Sequence, residues 1–145
     1  MKILVSACLL GEACRYDGKS RPAAHIIELK EKHTLIPVCP EVMGGLPTPR
    51  PASEIQADGR LLNVRGKDVT AEYRRGAETV LALAREHGAQ VAILKEKSPA
   101  CGKGRVYDGS FTGTLTEGNG VCADLLIRNG IRVLGESETE AIDRL

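Results

Sequence analysis

Short apolar runs that lead into cysteines punctuate this chain, and they constrain its fold more than any other feature. Residues 2–7 form one run and end at Cys8; Thr34–Val38 ends at Cys39-Pro40; Val91–Leu94 leads through Lys95-Glu96-Lys97-Ser98-Pro99-Ala100 to Cys101. Runs this short and this continuously apolar read as strands buried on both faces. Between them the pattern turns helical. Residues 22–32 carry Ile26, Ile27 and Leu29 behind Pro22, and Thr70–His87 carries Val80, Leu81, Leu83 and Ala84 ahead of a stop at Gly88. Val121–Arg128 and residues 137–145 read as two further helices, around a last short strand at 132–134. Strands alternating with helices predict an α/β fold, a small and mainly parallel sheet flanked by helices with right-handed crossovers. Asp58-Gly59, between Glu54-Ile55-Gln56 and Leu61-Leu62-Asn63-Val64, predicts an inserted hairpin. The Gly- and Pro-rich stretches 44–51 and 102–120 predict long loops at the carboxyl edge of the strands.

At 145 residues the chain is read as a single domain, residues 1–145. Charged residues make up 27% and the net charge is +1, which excludes a global polyanion binder but leaves room for a local basic patch. The aromatic residues are Tyr16, Tyr73, Tyr107 and Phe111, with no Trp, too few for a base-stacking sheet of the RNA-recognition type. No stretch approaches the eighteen apolar residues a membrane span requires. Val5-Ser6-Ala7-Cys8 mimics a lipoprotein cleavage box, but Ile3, Leu4 and Val5 alone are too short for a signal peptide's apolar core. The expected compartment is the cytoplasm, with reduced thiols and no membrane contact.

Five cysteines are many for such a chain. A single buried cysteine is ordinary packing. Three of them, Cys8, Cys39 and Cys101, follow predicted strands and so fall along the one edge where open parallel sheets bind ligands. That convergence favours a metal or cluster site. There is no Cys-x-x-Cys, and His25, His33 and His87 fall away from the cysteine loops. Thiolates without histidine favour an iron–sulfur centre over zinc, with zinc as the second option. Cys14, six positions after Cys8, is a rival ligand, and Cys122, among Val121, Leu125 and Leu126, reads as a core residue.

Two motifs compete for attention. Residues 13–20, Ala-Cys-Arg-Tyr-Asp-Gly-Lys-Ser, fit a relaxed phosphate-binding loop, yet Arg15, Tyr16 and an anionic Asp17 suit a phosphate cradle poorly. Gly118-Asn119-Gly120-Val121-Cys122-Ala123 fits a dinucleotide fingerprint, with a turn and helix cap as the simpler reading. Arg15, Lys19, Arg21, Arg50, Lys95, Lys97, Lys103 and Arg105 lie in loops of the candidate edge. They could be solvated surface, or could attract an anionic nucleotide or tRNA.

Three blocks together carry a family resemblance: Ser6-Ala7-Cys8-Leu9-Leu10-Gly11 through Cys14-Arg15-Tyr16-Asp17-Gly18, Val38-Cys39-Pro40-Glu41 through Pro47-Thr48-Pro49-Arg50, and Lys95-Glu96-Lys97-Ser98-Pro99-Ala100-Cys101-Gly102. In these the chain resembles the bacterial family first catalogued as domain of unknown function 523, which includes the thiouracil desulfurases. The resemblance spans essentially the whole chain and departs mildly at Ala100, where Ser is common. It implies a [4Fe–4S] cluster on Cys8, Cys39 and Cys101, with the fourth iron free to take sulfur from a thiolated pyrimidine. It also implies Glu41 and Ser98 beside the cluster. The expected reaction is a non-redox desulfuration of 2-thiouracil or a related base, in which Glu41 activates water and Ser98 hydrogen-bonds the ring. Asp17 and Arg15 are further candidates for binding substrate, although Tyr-Asp-Gly is equally good turn chemistry. A non-catalytic iron–sulfur or zinc module, and a nucleotide enzyme using residues 13–20, are the alternatives.

Overall fold

The computed structural model describes residues 1–145. Its centre is a four-stranded, wholly parallel sheet of β1 (Lys2–Ser6), β2 (Thr34–Val38), β5 (Val91–Leu94) and β8 (Arg132–Gly135), ordered β2-β1-β5-β8. Side chains alternate across it as the strand period of two requires. Leu4, Ala92, Leu94 and Val133 face one core, shared with α3 (Thr70–His87) and α4 (Val121–Arg128). Ile3, Val5, Val91, Ile93 and Leu134 face the other, closed by α1 (Ala24–Ile27) and α5 (Thr139–Asp143) through Ile26 and Ile142. The expected α/β fold, a parallel sheet between helices, is the fold observed. No helix is long and apolar enough to cross a membrane.

The strand order places β2 on one side of β1 and β5 on the other. The chain therefore leaves β1 in one direction and returns to pair with it from the opposite side, which opens a crevice at the carboxyl ends of β1 and β5. Two glycine contacts fix the elements around that crevice. The short helix α2 (Pro40–Met43) crosses α3 so closely that a Cβ on Gly44 would stand 1.9 Å from the Glu72 carbonyl oxygen, and one on Gly76 would stand 1.8 Å from that of Pro40. The N-terminus of α4 docks on the turn at residues 99–102. There Val121 N–H donates to the Pro99 carbonyl and Cys122 and Ala123 N–H to that of Ala100, which satisfies the helix's first donors.

Several local expectations change. The first strand stops at Ser6, and Ala7–Leu10 winds into a 3-10 turn that carries Cys8. Residues 22–32 form only one α-turn and a 3-10 segment, Glu28–Glu31, starting after Pro22. Cys39-Pro40 opens α2, with proline at the first helical position where its missing N–H costs nothing. The expected hairpin is present as β3 (Ser53–Ile55) and β4 (Leu61–Asn63). The stretch 102–120 is no simple loop, because β6 (Arg105–Tyr107) and β7 (Leu115–Glu117) pair antiparallel within it.

A methyl group at Gly76 cannot fit without parting α2 from α3. Gly76→Ala is expected to destabilise the protein by about 3 kcal/mol, the upper end of the usual overpacking range, while Glu78→Ala on the exposed face of α3 stays near neutral. Urea unfolding midpoints read both, and a wild-type midpoint for Gly76→Ala would contradict the close crossing.

Candidate functional site

The crevice is a cavity of about 1050 Å³, and Cys8, Cys14, Cys39, Glu41, Ser98 and Cys101 all line it. Three separate elements deliver the thiols. Cys8 sits in the 3-10 turn after β1, Cys39 at the residue before α2, and Cys101 in the turn that caps α4. Ser98 holds that last turn: its Oγ accepts from the N–H groups of Ala100 and Cys101, both at 3.1 Å, which leaves its own proton free to donate. Ser6 joins the two strand ends by accepting from Lys95 N–H at 2.9 Å.

The loop 44–51 is anchored by Arg50, 8% exposed. Its Nη1 donates to the Pro47 carbonyl and Thr48 Oγ1, and its Nη2 donates to the Cys14 carbonyl at 2.9 Å and pairs with Glu41 Oε2 at 3.6 Å. One guanidinium thus ties the loop of Cys14 to the carboxylate of α2. The Cys39 sulfur lies 3.8 Å from the Cys14 carbonyl oxygen and 4.0 Å from Glu41 Oε1.

Burial governs the protonation of these groups. It pushes the Cys8 thiol up to about 11, with Lys95 opposing, and raises Cys101 well above the usual range, with Glu41 adding to the effect. Burial also raises the Glu41 carboxyl, against the pull of Arg50. Cys39 goes the other way, to about 7, because a hydrogen bond from Cys14 stabilises its thiolate; the same interaction raises Cys14. Buried thiols crowded with a carboxylate make poor anions on their own. A centre carrying positive metal charge removes that penalty, so the donor set fits a thiolate-bound metal centre. The three thiols of Cys8, Cys39 and Cys101 face one cavity without forming a ready single-ion site.

The remaining expectations divide. Arg15 lines the cavity, as do Arg21, Arg50, Lys95 and Lys97. Lys19, Lys103 and Arg105 do not; Lys103 is engaged with Glu138 at 2.9 Å. Asp17 also lies outside the wall. Its carboxylate accepts from Lys19 N–H at 3.0 Å and stands 4.0 Å from Arg15, the geometry of the turn that Tyr-Asp-Gly also predicts. Residues 15–19 close on themselves through Gly18 N–H to the Arg15 carbonyl, and α1 begins only at Ala24, so 13–20 does not form a phosphate-binding loop leading into a helix. The Gly118–Ala123 fingerprint is the α4 cap, its donors already taken. Cys122 is fully buried on α4, as expected of a core residue. Sequence reasoning missed the bracing roles of Ser6 and Arg50, and the buried Glu54 beyond them. Arg50 was visible as a cation within the family block, but nothing in the sequence announces that it turns inward.

Comparison with known proteins places this geometry. A family model described as 2-thiouracil desulfurase matches residues 3–138. The protein named uncharacterized protein YbbK of Bacillus subtilis (strain 168) is 40% identical over 149 residues, covering 97% of this chain and 99% of its own. The solved structure of a protein described as [4Fe-4S]-dependent thiouracil desulfidase TudS superposes with a TM-score of 0.93 at 45% identity, covering 99% of this chain and 95% of that one. The expected resemblance is therefore the family itself: this chain belongs to the 2-thiouracil desulfurase family.

Proposed function

We propose that this protein is a [4Fe–4S]-dependent desulfurase that converts 2-thiouracil, or a related thiolated pyrimidine, to the oxygenated base and sulfide with no net electron transfer. The observation that carries the reading is the meeting of Cys8, Cys39 and Cys101 with Glu41 and Ser98 on one cavity at the carboxyl ends of β1 and β5. The description of the TudS relative supports the choice of cluster, and the family description supports the substrate class.

Cys8, Cys39 and Cys101 would hold the cluster, which when bound would supply a Lewis acid for the thiocarbonyl sulfur. The rest falls to the chain. Glu41, buried and tied by Arg50, takes a proton from water at a carboxylate oxygen, and the water oxygen attacks the ring carbon. The carbon–sulfur bond breaks, the carbon–oxygen double bond replaces it, and sulfur leaves at the oxidation level at which it arrived. Ser98 donates its free proton to a ring acceptor while its lone pairs hold the Cys101 turn. Arg15 faces the cavity as a partner for a polar or anionic substituent, so a free base, a thiolated nucleotide and a thiolated tRNA base are the substrates to compare.

Two experiments test this. Cys8→Ser, Cys39→Ser and Cys101→Ser should each abolish iron retention after anaerobic reconstitution, while Cys122→Ala and Cys14→Ser keep it. Iron loss in Cys14→Ser with retention in Cys101→Ser would overturn the ligand set. Glu41→Gln should keep iron and 2-thiouracil binding while turnover falls by about 10²–10⁴-fold, the usual effect of losing an acid–base group. A rate close to wild type would remove Glu41 from water activation.

A further inference from the structure

The cavity described so far has a floor of thiols and charge. A pyrimidine also has two flat faces, and a ring held only by its edge is free to tilt. The β6–β7 hairpin also lines the cavity, through Tyr107 and, in its connecting turn, Phe111. Phe111 is the chain's one phenylalanine, and its φ is +58°. A bulky side chain in the left-handed region is a genuine outlier, and such conformations persist only where the surroundings over-determine them.

Here the surroundings do so. Glu54 on β3 is 9% exposed, and its Oε1 accepts from Gly109 N–H at 3.0 Å and Phe111 N–H at 3.2 Å. Gln56 Nε2 donates to the Gly109 carbonyl at 3.2 Å. On the solvent side, Asp108, Ser110, Thr112 and Thr114 link their side chains in one hydrogen-bonded row. A buried carboxylate and a polar row thus clamp the turn from both sides, and what the clamp presents to the cavity is an aromatic ring. The other aromatic groups of the wall suit the task less. Tyr73, on α3, is buried in the core, Tyr16 is 45% exposed with the Arg15 guanidinium 5.9 Å from its ring centre, and Tyr107 lies within β6, paired with Leu115 and outside the Glu54 clamp.

We propose that Phe111, held in the left-handed region by Glu54, is the face on which the substrate ring stacks, and is thereby a specificity-determining residue for flat heteroaromatic thiocarbonyl compounds. The proposal rests on the desulfurase reading for the identity of that ring. Stacking of one base on one aromatic side chain corresponds to about 5- to 150-fold in affinity.

The test compares Phe111→Ala with Phe111→Tyr in the iron-loaded holoenzyme. Both variants carry a Cβ at the same φ, so the difference between them reports the ring alone. Phe111→Ala should weaken 2-thiouracil binding, measured by calorimetry, within that range, and Phe111→Tyr should bind within about threefold of wild type, at equal iron content. Phe111→Gly should weaken binding like Ala while unfolding at a higher urea midpoint, because glycine relieves the backbone. Phe111→Ala binding as wild type does, or Phe111→Tyr binding as weakly as Phe111→Ala, overturns the stacking role. Wild-type protein that binds 2-thiouracil but releases no sulfide refutes the desulfurase reading while leaving the Phe111 comparison decisive. Wild-type protein that does not bind it overturns both.

Discussion

The parallel pairing of β1 with both β2 and β5 is the constraint on which the rest of this structure depends. Register places Ser6 beside Val38 on one side, and Val5 beside Ile93 on the other. All these strands therefore end at the same edge, and the residues that follow them must leave the sheet there together. Cys8 and Cys39 are carried to that edge directly, within two residues of a strand end. Cys101 arrives through a longer excursion whose turn is fixed by Ser98 and capped onto α4. The central strands β1 and β5 are buried, β2 is a half-exposed edge with only Val38 buried, and the exits of all three lead to the cavity.

An edge where loops converge would be mobile without cross-links, because loops bury little apolar surface of their own. Here single polar side chains act as the cross-links. Arg50 ties three segments, Ser98 holds the Cys101 turn, Ser6 joins β1 to β5, and Glu54 clamps the far hairpin. Each is a buried or half-buried group that bonds to the backbone of another segment or turn, an interaction that low local dielectric strengthens, although the Nε of Arg50 has no partner. Lys95 adds a salt bridge to Glu136 at 2.7 Å that fastens β5 to the segment after β8. The site is thereby preorganised by polar contacts on a frame made by apolar ones.

Much of this was legible in the sequence. The four main strands, the long helix α3 with its Gly88 stop and the β3–β4 hairpin all follow from apolar period and turn residues, because each signal is local and strong. The cysteine edge was legible too, since strand ends in a parallel sheet share one side. What escaped was short and tertiary. The four residues of α2 are too few for a period, and their helix is fixed by crossing Gly76. The β6–β7 pair is three residues long on each strand and stands among glycines that read as loop. Asp17 sits beside cavity residues in sequence, and its carboxylate braces its own turn through Lys19 N–H, outside the cavity wall. Glu54 read as an ordinary strand residue, since its partners lie 55 and 57 positions away.

The chemistry that these constraints support is a hydrolysis. In the proposed reaction the buried carboxylate of Glu41 takes a proton from water, and the water oxygen replaces sulfur. Desulfuration in ¹⁸O-enriched water tests that claim most directly, with the holoenzyme, 2-thiouracil and no electron donor present. The account predicts one sulfide released for each uracil formed, and one ¹⁸O in each uracil. Turnover that requires a reductant, or uracil that carries no label from water, would contradict it.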